Sequence, residues 1–470
     1  VNKKKTCIRQ SLYASLKILA LLLVVSTAGI CGQLMSVKPS TSEEVNYSEY
    51  ISSDTDLIFS RSEYAAKLHG FWLGQSIANW TGLVTEMDRV EAPFYTDEDW
   101  GKVDEPAIWG LFTPHASRID YYLLPPKKVW GADDDTDIEY MYQHLLESHE
   151  TSRLSAHQIR EGWLKHIYSN EDGPISPKEF QRENYLWVSN ETAYYLMKDQ
   201  QMLPPATSEP ANNPNYNMID AQLTTEIFGL FSPGRPDIAL ELAHLPIRVT
   251  AKNEAEWIAR FYVSMHSLAA SVDKQLPINV QLMEMSKQAR GQLPDNSYPA
   301  DMYDFVLASY SQNPDKDDWE KTRDAIYQAY QVEGRAGYKY KQPFDAGINF
   351  AASLVSLFYG QGDLLRTIKI GTLAGWDSDN PTATWGGLLG FMLGKDAVQA
   401  AFSDKPLSEL YWISRTRRGF PDLTPDLIGE DTFSMMAQRG LLIIDRVVTE
   451  EMTGGVDLDR DMWMIPPAKQ

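Results

Sequence analysis

Apolar and polar positions recur with a helical period along most of this chain. The clearest run begins at Ser60, which has capping-box spacing with Glu63. Ala66, Gly70, Gly74 and Ala78 then follow at every fourth position. Residues four apart share a helix face, so this stripe of small side chains predicts a helix packed very closely on a neighbour. The same periodicity predicts helices over residues 137–149, 177–198, 253–271, 317–332, 345–358, 363–373, 381–393 and 432–450. A second stripe of small residues, Ala383, Gly387, Gly390 and Gly394, runs along the seventh of these. Strand-like alternation is scarce and no internal repeat is evident. Residues 204–214 read as a Pro/Asn-rich loop, and 421–425 break the chain before the last helix. The pattern predicts an all-α fold, helix packed on helix, in one large domain.

Composition narrows the class. The chain has 470 residues, 43% hydrophobic and 23% charged, which excludes a disordered chain, a collagen-like repeat and a coiled coil. Net charge is −21. Residues 1–31 carry Lys3, Lys4, Lys5, Arg9 and Lys17 and no acid, so the remainder is more acidic still. Such a body repels phosphate backbones and anionic lipid, and no nucleic-acid partner is expected. A local site or a bound metal can still accept a small anion.

Those bases precede the apolar run 18–25 and the small residues Ser26, Thr27, Ala28 and Gly29, the order of an export signal. Cleavage after Ala28 is expected; an uncleaved anchor through residues 16–30 and lipidation at Cys31 are the alternatives. The protein is therefore expected to be exported: periplasmic, secreted or a membrane-anchored lipoprotein. Membrane contact is expected only through that N-terminal lipid or anchor. Cys7 and Cys31 both fall in this segment, so the body has no thiol chemistry. Residues 32–59 read as a polar tether, 60–400 as the main helical domain and 401–470 as a helical extension packed on it.

Two acidic runs carry the candidate chemistry. Gly131-Ala-Asp-Asp-Asp-Thr-Asp137 heads a helix whose buried face is Ile138, Met141, Tyr142 and Leu145. Asp134 and Asp135, four and three residues before Ile138, continue that buried stripe. Buried carboxylates need a cation, a basic partner or the helix N-terminus. The second run is Gly375-Trp-Asp-Ser-Asp-Asn-Pro381. In an extended segment Asp377 and Asp379 project to one side, while Asn380 suits a cap and Pro381 a first helical turn. A cap needs one polar residue, so the aspartate pair is surplus to capping. Taken singly, each run also fits a local helix cap. Together they offer hard oxygen ligands for one or two Mg²⁺, Mn²⁺ or Ca²⁺ ions. EF-hand spacing is absent, as are a zinc pattern, a nucleophile elbow, a P-loop and a dinucleotide fingerprint. His144 and His149 read as core or surface residues.

The order of these motifs resembles the ADP-ribosylglycohydrolases, which include the dinitrogenase reductase-activating glycohydrolases. Leu73-Gly-Gln-Ser-Ile-Ala-Asn-Trp-Thr-Gly82 is similar to the family's first helix, followed by Glu86 at the place of its catalytic carboxylate. Asp133-Asp134-Asp135-Thr136 resembles the family's T-D-D-T, and Gly375-Trp376-Asp377-Ser378-Asp379-Asn380 its G-G-D-x-D-T. Phe228-Gly-Leu-Phe-Ser-Pro-Gly234, within 219–248, resembles the central region. The likeness spans roughly residues 62–400.

The resemblance implies a single large orthogonal helical domain around two divalent ions, Mg²⁺ first and Mn²⁺ second. It implies metal-ligand positions at Asp133, Asp134, Asp135, Asp377, Asp379 and Asn380, and a catalytic carboxylate at Glu86. Asn79 stands where the family has Asp, Asp133 and Asn380 where it has Thr. A histidine common in the middle of several members has no counterpart near Ala251 and Lys252. The expected activity is metal-dependent hydrolysis at the ribose anomeric carbon of small or protein-linked ADP-ribose-type substrates. Two alternatives stand beside it: a hydrolase of another riboside or sugar, and a non-catalytic ligand-binding descendant. The two acidic runs should converge, with Glu86 at the rim of the group they form.

Overall fold

The computed structural model describes residues 47, 49–104, 118–131, 133–175, 181–424 and 430–468. The export segment with Cys7 and Cys31, and most of the tether, lie outside the described residues. Ser60 caps the first helix, its hydroxyl accepting from the Glu63 amide at 3.3 Å. That helix, Arg61–Gly82, is buried almost continuously from Leu68 onward. Its partner is Asp379–Leu393, also buried along nearly its whole length. The small-residue stripe explains the pairing: a β-carbon at Gly70 would collide with the Gly390 carbonyl, and one at Gly74 with the Gly386 carbonyl. At the end of the helix, a β-carbon on Gly82 would overlap the Cα of Asp379. Backbones can approach this closely only where no side chain intervenes. The facing stripe on the second helix is Gly386, Gly390 and Gly394; Gly390 and Gly394 stand as expected, and Gly386 takes the place expected for Gly387. Gly387 instead abuts the Phe71 ring.

Ala346–Gly360, Leu364–Ala374, Lys395–Phe402 and Phe433–Arg446 pack on this pair, and Asp134–Ser148, Val188–Asp199 and Glu254–Leu268 belong to the same unit. One hydrophobic core runs from Tyr64 to Ile465, and Tyr47–Gln470 forms one compact unit. The protein is mostly helical, as the periodicity predicts. Two small sheets tie distant segments together. Leu57–Ser60 pairs antiparallel with Met462–Ile465, which pairs with Gly455–Asp457. Val129–Trp130, just before the first acidic run, lies parallel to Leu410–Trp412, which pairs antiparallel with Glu430–Thr432. No helix among the described residues is long and apolar enough to cross a membrane.

Several predicted elements change. Of the helix expected over 177–198, residues 177–180 lie outside the described residues, and the described part is helical from Val188 to Asp199. An isolated bridge joins Ile175 to Arg182, and Tyr185 and Val188 adopt positive φ, which interrupts helical geometry. The segment expected at 317–332 is α-helical over Glu320–Ile326 and then widens into a π-helix, Tyr327–Val332. Ala156–His166, Ile278–Ala289 and Tyr298–Gln312 are additional helices. Two of them have local signals: a Ser155/Gln158 capping box, and Ser297 before Pro299 in the first turn.

Candidate active site

Three chain segments deliver carboxylates to one place. The first is the turn after Arg61–Gly82. There the Met87 amide donates to the Trp376 carbonyl at 2.9 Å, and the Trp376 amide to the Arg89 carbonyl at 2.9 Å. The Thr85 and Ser378 hydroxyls meet at 2.9 Å. These bonds fasten the Glu86 turn to the Gly375–Asp379 turn. Gly375 has φ +98 with the Arg89 carbonyl and Phe94 ring against it, so a side chain there would have neither the backbone angle nor the space. Asn349, on Ala346–Gly360, accepts the Asp377 amide at 3.2 Å through its side-chain oxygen.

The result is two groups of three carboxylates. Glu86, Asp377 and Asp379 form one; Asp133, Asp135 and Asp379 form the other. Within each group, one oxygen per residue lies within 4.8 Å of the others, and Asp379 belongs to both. Asn79 sits between them, its amide nitrogen donating to Asp135 at 3.0 Å and to Asp379 at 3.2 Å. This one side-chain amide thus supplies a hydrogen-bond donor to two acceptors. Asp134 turns toward another partner: it accepts from the Asn190 side chain at 3.1 Å, and the Asn190 amide donates to Asp220 at 2.7 Å. It belongs to neither three-carboxylate group. Glu86 is 4% exposed, so it lies within the acidic group and not at its rim, because the Met87–Trp376 bond draws its turn inward.

The electrostatics suit a cation. Burial, then the neighbouring carboxylates, push Asp133, Asp135 and Asp377 well above the ordinary carboxylate range. Burial also raises Asp134 and Asp379, each to about 6. Both carboxylate oxygens of Asp133, one of Asp379, and the amide oxygen and nitrogen of Asn380 are buried with no hydrogen-bond partner among the described residues. Buried acceptors left unpaired are costly, and a divalent ion satisfies several at once. The donor set is oxygen-rich and thiol-free, which fits a hard cation. Asp137, from the same run, is committed elsewhere: the Tyr411 and Thr416 hydroxyls donate to it and Arg417 lies 3.5 Å away.

One helical turn deeper lies a second polar layer. Gln75 donates to Glu139 at 2.7 Å, the Ile227 amide donates to the other Glu139 oxygen at 2.7 Å, and Thr384 donates to Glu226 at 2.5 Å. Both glutamates are fully buried. Gln75, Glu139 and Thr384 stand one helix repeat from Asn79, Asp135 and Asn380, and that spacing is the signal the sequence carries for them. Asn190, Asp220 and Asn349 have no comparable sequence signal.

A solved structure titled "ADP-ribosylglycohydrolase-related protein complex" is 15% identical, covering 82% of this chain and 99% of that one, with a TM-score of 0.47. No curated protein matches the sequence. The family model for ADP-ribosylglycohydrolase matches residues 60–431, a span that contains both acidic runs, Glu86 and the glycine-paired helices. The chain belongs to the ADP-ribosylglycohydrolase family.

Proposed function

We propose that the protein is a metal-dependent hydrolase of the glycosidic bond at the ribose anomeric carbon of ADP-ribosylated substrates or related ADP-ribosides. The observation that carries this reading is Asp379, shared by two three-carboxylate groups beside unpaired acceptors, with Glu86 in the same group. Asp133, Asp135, Asp377, Asp379 and Asn380 would hold two divalent ions, Mg²⁺ first and Mn²⁺ second. Such ions, when bound, supply positive charge that orients ribose hydroxyls and lowers the cost of activating water. Glu86 holds or accepts a proton at its carboxylate as the bond at the anomeric carbon breaks. Asn79 keeps Asp135 and Asp379 in register. Burial excludes bulk water and strengthens each of these interactions. The basic and apolar sequence of residues 1–31 supports an exported protein, acting on a small or protein-linked ADP-ribose-type substrate.

The test is hydrolysis of ADP-ribosyl-arginine, ADP-ribosyl-serine, O-acetyl-ADP-ribose and simple nucleosides with Mg²⁺ or Mn²⁺, each with a chelator control. Release of ADP-ribose that stops with the chelator is expected. Cleavage of nucleosides alone would move the substrate class to other ribosides. No cleavage of any compound would leave a non-catalytic descendant.

A further inference from the structure

Against Gly131, at the head of the first acidic run, lies a patch of opposite character. Arg415 ends the short Ile413–Arg415 turn and sits between two indoles, 5.6 Å from the Trp80 ring centroid and 5.5 Å from that of Trp412. Stacking uses the faces of a guanidinium and leaves its N–H edges to find acceptors. Arg415 Nη1 is buried without one among the described residues, and so is Trp412 Nε1. Both groups can only donate. Neighbouring Arg417 donates to the carbonyls of Asn184, Tyr185 and Thr416, and its Nε lies 3.5 Å from Asp137.

The patch is joined to the acidic group through the backbone. Trp80 follows Asn79 directly, and its indole N–H donates to the Gly131 carbonyl at 3.1 Å, two residues before Asp133. A β-carbon on Gly131 would run into both the Trp80 ring and the Arg415 guanidinium. The Tyr122 ring lies 6.1 Å from that of Trp80, tilted against it. Burial holds Arg415 below the usual guanidinium value, and the nearby Asp137 charge offsets part of that effect.

We propose that Arg415, with the Trp412 indole N–H, binds the diphosphate of a nucleoside-diphosphate ribose whose ribose end reaches the Asp379 group. The inference rests on the ADP-riboside reading and deepens it by naming the groups that hold the anion. A diphosphate offers acceptors only, the complement of two donor-only groups. An acidic pocket alone would repel it, and Arg415 offsets that repulsion locally.

The test is calorimetric titration of the full chain in excess Mg²⁺ with ADP-ribose, ADP and adenosine. The wild type should bind ADP-ribose and ADP more tightly than adenosine. Arg415→Gln should weaken the two diphosphates by about tenfold or more, the scale of one charged hydrogen bond, with Arg415→Lys recovering part of the loss. Trp412→Phe, which keeps an aromatic ring and removes the N–H, should weaken them by a smaller factor; it carries the test if Arg415→Gln fails to fold. Wild-type affinity for ADP-ribose in folded Arg415→Gln, or in Trp412→Phe should that variant alone fold, would overturn the inference and leave the ADP-riboside reading standing. A wild type that binds neither ADP-ribose nor ADP would overturn both.

Discussion

The side-chain amide of Asn79 donates to Asp379 at 3.2 Å across 300 residues of chain. The same nitrogen donates to Asp135 at 3.0 Å, so one neutral side chain holds the two acidic runs together. Asn79→Asp would replace that donor with another acceptor among buried carboxylates. In chelator the variant should be destabilised by about 2 kcal/mol or more, and excess Mg²⁺ should recover most of the loss. Thermal unfolding with and without chelator measures both. Equal melting temperatures for the two proteins in chelator would show that the amide bridge contributes nothing.

Asp379 belongs to both carboxylate groups and Glu86 to one. Asp379→Ala should therefore lose metal affinity and turnover together. Glu86→Gln should retain metal binding while turnover falls by about 10²-fold or more, the scale of general acid–base catalysis. Metal titration beside single-turnover assays separates the two effects. Equal loss of metal affinity in both variants would reassign Glu86 from proton transfer to metal ligation.

The glycine contact between the paired helices gives a stability prediction. Gly74→Val should destabilise the fold by about 3 kcal/mol or more, because the new side chain starts inside the Gly386 carbonyl. Gly291→Ala is the control: no atom lies within 4 Å of a β-carbon there, and the expected change is within about 0.5 kcal/mol. Denaturant titration of both variants decides the point. A mild effect at Gly74 would mean that the helices can separate without loss.

The deeper glutamates predict a pH dependence. Burial, the largest cause, raises Glu139 to about 8, and burial with the nearby Glu139 charge raises Glu226 well above its ordinary value. A raised acid keeps its proton in the folded state over a range in which the unfolded chain has released it, so stability falls as pH rises. This contribution is complete below about 4.5 and is lost as pH climbs through about 8. Unfolding free energy measured from about pH 5 to 9 should decline more steeply in the wild type than in Glu139→Gln. Parallel slopes would show that the pair does not titrate in this window.

Much of the site is legible along the chain because its signals are local. The Ser60/Glu63 cap, the Gly70–Gly74 spacing and the two aspartate runs each lie within a few turns of one helix. Their residue types already imply close packing and oxygen ligation. The sheets are not legible, since strands of two to four residues such as Val129–Trp130 have no period to detect and pair with segments far along the chain. The interruption before Val188 is equally hidden, because its positive φ answers to tertiary context and not to a breaker residue.

By itself, then, the sequence determined the helical class, the close-packing faces and the acidic runs, all of which follow from periodicity and side-chain chemistry within a single element. Which aspartates share an oxygen cluster was decided only by the tertiary structure. Asp134 turns to Asn190 while Asp133 and Asp135 meet Asp379, and Glu86 is drawn inward by the Met87–Trp376 bond. The physical reason is that a carboxylate's neighbours are set by how helices cross. Here that crossing depends on backbone contact between Gly74 and Gly386, residues that touch only once the chain has folded.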